Sequence, residues 1–124
     1  MIEYWWEVMD SQPRKQPMTR VVLVDTDLAQ PKTTTRVQAR RITMAPNHPA
    51  GLHVHNGPVV GNVLEGSVVY QVEGHPAQTL APGDLFVEQE GQRIARFDAG
   101  PDGVTFLAWF LLGPGEEPAI LQPE

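Results

Sequence analysis

Residues 51–58 read GLHVHNGP, residues 61–66 read GNVLEG and residues 80–86 read LAPGDLF. In the first stretch His53 and His55 flank Val54, and a strand's period of two sends both imidazoles to the same face. Two neutral imidazoles so placed can share one divalent ion. From Gly66 the glycines recur at Gly74, Gly83, Gly91 and Gly100, with gaps of 8 or 9 residues. Short strands joined by tight turns at that spacing predict an all-β sandwich or barrel.

Working outward, the turn rhythm predicts strands over 51–56, 59–65, 67–73, 76–81, 84–88, 93–98 and 104–112. Val68, Tyr70 and Val72 alternate with other residues in a way that predicts one buried face. Val104–Leu112 is apolar on both faces, so the outside of that strand needs a cover. Upstream, Val37, Ala39, Ile42 and Met44 alternate with a slip at Arg40-Arg41, which predicts a β-bulge. Val21–Val24 is a β-branched run that reads as strand. Ile2, Trp5, Trp6 and Met9 have helical spacing. The boundaries that follow are an N-terminal extension over 1–17, a barrel over 18–113 and an irregular tail over 114–124. Trp5, Trp6 and the two-sided strand together predict a homodimer, because twofold pairing is the commonest way to bury such a patch.

Composition agrees with many turns: Gly 11 and Pro 12 in 124 residues exceed the usual combined share of about 12%. The net charge of −6 is unevenly placed. Residues 1–41 hold seven Lys/Arg and five Asp/Glu, whereas residues 42–124 hold two Arg and ten Asp/Glu. No basic stripe is left to neutralise phosphates, which argues against nucleic acid as a partner. The lack of Cys excludes disulfides and thiolate metal sites. The first ten residues carry acids and no apolar run, and Val104–Leu112 is too short to span a bilayer as a helix. The expectation is a cytoplasmic protein without a membrane partner.

The three opening stretches resemble the cupin superfamily. GLHVHNGP with the following VLEG turn is similar to the first cupin motif, and the P-G-D of LAPGDLF to the opening of the second. The resemblance covers residues 36–112 and implies a double-stranded β-helix, the cupin jelly-roll barrel. Cupins usually place a Glu four residues after the second His, where this chain has Val59, and a third His where it has Ile94. Some quercetin dioxygenase-like cupins also lack the first Glu and carry one in the second motif. The stretch FVEQEG over 86–91 aligns Glu88 with that residue. By this resemblance His53, His55 and Glu88 form a metal-ligand set for Fe, Mn, Ni or Zn, with Glu88 also the candidate catalytic residue. Val59, Phe86 and Ile94, with Leu64 or Tyr70, are expected to line an apolar pocket for a small molecule.

Two readings of function stand side by side. One is a metal-dependent enzyme, a dioxygenase or isomerase of small molecules. The other is a non-catalytic binding barrel, a sensor or carrier with a degenerate metal site. His48, in the loop before the pair, is a candidate extra ligand, and Arg41 a candidate to face an anion in the pocket.

Overall fold

The structure, a computed structural model, describes residues 16–123. These fold into strands only: β1 Arg36–Met44, β2 Val54–His55, β3 Val59–Val72, β4 Gln78–Leu80, β5 Leu85–Glu88, β6 Ile94–Leu112 and β7 Ile120–Leu121. Every strand pair is antiparallel. The larger sheet runs β1-β6-β3-β4, with β5 also on β3, and β2 pairs with β7 separately. The expected helix over 2–9 and its two tryptophans lie outside the described residues. Among the described residues no helix is long and apolar enough to cross a membrane.

The β3–β6 ladder is the spine. Its inward residues from β6 are Phe97, Ala99, Val104, Phe106, Ala108, Phe110 and Leu112, and those from β3 are Val59, Val63, Val68 and Tyr70; all are buried. Tyr70, Phe86, Phe97 and Phe106 form a cluster with ring centroids 5.0–6.1 Å apart in tilted and edge-on pairs. Such pairs add about 0.5–1.5 kcal/mol each beyond the burial of their area. The outward residues Leu107, Trp109 and Leu111 are half-buried.

Several expectations need correction. The segments 59–65 and 67–73 are one strand, and so are 93–98 and 104–112. Gly66 does take a left-handed φ of +76°, but it produces a register shift between Gly66 and Val68 instead of ending the strand. A Cβ on Gly66 would lie 2.0 Å from the Gly103 carbonyl oxygen, so the two strands touch there through bare backbone. The bulge at Arg40-Arg41 is absent: β1 pairs with β6 in unbroken register from Arg36 opposite Leu112 to Met44 opposite Val104. The slip is a change of apolar face. Val37 and Ala39 are exposed, while Ile42 and Met44, two and four positions beyond Arg40, line the interior cavity.

Val21–Val24 is not a strand; it runs exposed with no ladder partner among the described residues. The tail is not wholly irregular, because Ile120 and Leu121 pair with His55 and Val54. Asn56 secures that tail, donating from Nδ2 to the Glu117 carbonyl and accepting from the Ala119 amide on Oδ1.

Gly61 sits mid-strand opposite Phe86, and a Cβ there would fall 2.0–2.4 Å from the Phe86 ring. The ring therefore occupies the space of a missing side chain. Replacing Gly61 by Ala should lower stability by about 1–3 kcal/mol through overpacking. The shift of the urea unfolding midpoint measures this, and an unchanged midpoint contradicts the packing described.

Candidate metal centre

The site begins with strand parity. In β5 the buried residues are Phe86 and Glu88, with Leu85 and Val87 half-buried between them, so the carboxylate points inward. Glu88 pairs with Val59 across the β3 ladder, at the end of the barrel that β2 also reaches. His55 is in β2, and His53 precedes it in an isolated bridge with Ile94. Two backbone hydrogen bonds form that bridge: the His53 amide donates to the Ile94 carbonyl at 3.1 Å and the Ile94 amide to the His53 carbonyl at 2.9 Å.

The structure brings His53, His55 and Glu88 together. One ligand atom from each can be chosen so that all three lie within 4.8 Å of one another. The side chains are almost dry, with residue exposures of 5%, 8% and 3%. The two imidazoles stand edge to face, with centroids 5.1 Å apart. His55 Nε2 lies 3.0 Å from Glu88 Oε1. His53 Nδ1 donates to the Gly51 carbonyl at 2.8 Å, which leaves Nε2 with its lone pair free. His55 lacks that orienting contact: its Nδ1 is buried with no hydrogen-bond partner, and so is Glu88 Oε2.

Leaving a buried polar atom unpaired costs about 1–3 kcal/mol, and more for a charged group. Two such atoms leave the three-residue cluster incompletely satisfied as it stands, and its ring nitrogens and carboxylate oxygens are atom types that a cation takes. Two imidazoles and one carboxylate form a donor set suited to Fe, Mn, Ni or Zn, and the carboxylate offsets part of a divalent charge. A divalent ion therefore fits these residues. Arg93 and Arg96 do not compete for Glu88, since they pair with Glu73 at 2.7 Å and Asp98 at 2.9 Å. Burial first, and the Glu88 carboxylate second, push the Tyr70 phenol well above the usual tyrosine range.

A cavity of about 320 Å³ opens over the cluster. Val59 and Phe86 line it, with Phe97, Phe106 and Phe110 completing an apolar wall. Ile94 does not line it; it is fully buried in the core and meets His53 through its backbone. Leu64 is exposed, and Tyr70 packs against Phe86 without lining the cavity. His48 is exposed and lines the cavity, outside the three-residue cluster. Several lining residues escaped the sequence reading, the three phenylalanines of the wall among them. Ile120 arrives with β7. Arg40, not Arg41, lines the cavity, with its guanidinium carbon 5.2 Å from the Phe110 ring centroid.

No protein-family model matches the sequence, and no curated protein matches it. Solved structures do match. A DMSP lyase from Ruegeria pomeroyi has a TM-score of 0.59 at 20% identity, covering 67% of this chain and 42% of that one. A cupin-like protein from Thermotoga maritima has a TM-score of 0.55 at 21% identity, covering 68% of this chain and 64% of that one. A protein from Klebsiella pneumoniae with a double-stranded β-helix domain has a TM-score of 0.57 at 18% identity, covering 86% of this chain and all of that one. The chain spans less than half the length of the lyase. The fold is the double-stranded β-helix.

The Gly51 contact sets the His53 tautomer. Long-range ¹⁵N–¹H spectra of the neutral ring should show the proton on Nδ1, and a ring protonated on Nε2 contradicts the assignment.

Proposed function

We propose that this double-stranded β-helix protein is a metal-dependent enzyme acting on a small molecule, with a divalent ion held by His53, His55 and Glu88. One observation carries the reading: three buried donors, two with unpartnered atoms, converge beneath an apolar cavity. When bound, such an ion supplies Lewis-acid polarisation of a substrate oxygen and open coordination positions.

The chain's own residues supply the rest. Phe97, Phe106 and Phe110 exclude water from the reacting region and strengthen its electrostatics. His53, set by Gly51, and His55 orient the donor set. With one Glu88 oxygen on the ion, the other is the atom able to take or hold a substrate proton. Proton transfer between neighbouring atoms of a small molecule is the chemistry of an isomerase. Oxygenation at the same site is the dioxygenase form of the proposal.

One observation favours a second reading, a binding barrel without turnover. Val59 and Ile94 stand where many cupins supply further ligands, and both are buried apolar residues. The experiment that separates the two begins with metal analysis of protein purified without chelator. The enzyme reading expects about one divalent ion per chain, lost in His55→Ala and strongly reduced in Glu88→Gln. Metal-free wild-type protein, or full metal content in the Gln variant, rejects the three-residue site and leaves the binding barrel.

A further inference from the structure

The cavity has a charge pattern of its own. Among its lining residues Arg40 is the sole Lys or Arg and Glu88 the sole acid. Most other basic groups nearby are paired with carboxylates: Lys32 with Glu116, Arg36 with Glu117, Arg93 with Glu73 and Arg96 with Asp98. Arg40 is different. Its Nε donates to the neutral Gln38 amide oxygen at 2.6 Å, and among the described residues no carboxylate lies within ion-pair range. Its guanidinium is held near the Phe110 ring, whose other neighbour is His55 at a centroid distance of 6.4 Å. The guanidinium and the His55 ring are therefore no more than about 12 Å apart. Arg40 is exposed and the His55 ring is buried, so the pair runs from the cavity's open side to its floor.

We propose that the cavity takes a small apolar monocarboxylate, its anionic group on Arg40 and its other end toward the His53–His55–Glu88 floor. The inference rests on reading this cavity as the substrate site. A guanidinium matches a carboxylate with two parallel hydrogen bonds. The three phenylalanines of the wall fit a ring or short hydrocarbon chain, and about 320 Å³ is the size of a small-ligand pocket. One cation matches one negative charge. A dianion would leave its second charge unmatched by any other Lys or Arg lining the cavity. The orientation follows from Arg40, the one Lys or Arg lining the cavity, which stands on its exposed side; an ion on the floor would compete for the same carboxylate, and the chelation arm of the test separates the two.

Benzoate and its neutral counterpart benzamide serve as probes, titrated into the protein as purified and after chelation. Wild type should bind benzoate more tightly than benzamide. Arg40→Gln should weaken benzoate at least ~10-fold, the scale of a charge-assisted hydrogen bond. Benzamide should stay within about two-fold, as for an exposed substitution. Arg40→Lys, which keeps the charge but loses the fork, should recover part of the loss. Metal content should be unchanged in Arg40→Gln. No detectable benzoate binding, equal affinity for the two probes, no loss in Arg40→Gln, or no recovery in Arg40→Lys overturns the proposal. Benzoate affinity that falls on chelation but not in Arg40→Gln places the carboxylate on the ion, and also overturns it. Loss in Arg40→Gln in protein that carries no metal upholds the carboxylate site while the metal reading fails.

Discussion

The antiparallel ladder between β3 and β6 is the constraint on which the remaining structure depends. It runs from Val59 opposite Phe110 to Val72 opposite Ile94 and carries β1 on one side and β4 and β5 on the other. A strand's alternation leaves no freedom once one face is buried. With Phe106, Ala108 and Phe110 turned inward on β6, register puts Val59 and Gly61 inward on β3. The next ladder then puts Phe86 and Glu88 inward on β5. A one-residue slip would send Glu88 to solvent and Val87 to the interior. The position of the carboxylate is thus a consequence of apolar packing some strands away.

That packing makes the polar cluster costly and therefore informative. Three ionisable side chains are nearly dry in a core otherwise built from aliphatic and aromatic groups. His53 has one strong backbone contact, and His55 and Glu88 have each other, but Glu88 Oε2 and His55 Nδ1 have no partner. An apolar core of the same shape would avoid this cost altogether. Groups kept buried and incompletely satisfied are the mark of a site arranged for something that binds there. The one exposed charge lining the same cavity, Arg40, extends the argument from the floor to the ligand's outer end.

Much of this was legible in the sequence, for identifiable reasons. The period-two spacing of His53 and His55 requires only that the segment be extended, so their shared face could be read directly. Glu88 came from the alignment of FVEQEG with a cupin segment, because β5 is apolar on both faces and parity alone cannot choose between them. Arg40 was missed because β1 changes its apolar face midway. Counting by twos backward from Met44 and Ile42, the pair nearest the buried end, would have reached it. Ile120–Leu121 is too short, among prolines, to announce a strand. The role of Gly61 depends on which residue lies opposite, and register is a property of the assembled sheet. The rhythm of glycines suggested turns at Gly66 and Gly100, where the long strands in fact continue through local irregularities.

The central claim is that one divalent ion is shared by His53, His55 and Glu88. Anomalous diffraction from crystals of metal-loaded protein tests it most directly. The account predicts a single strong peak among the three side chains, with nitrogens and oxygens roughly 2.0–2.2 Å away. A peak at exposed His48 or His75 alone, or a loaded crystal in which Glu88 turns away from the ion, would contradict it.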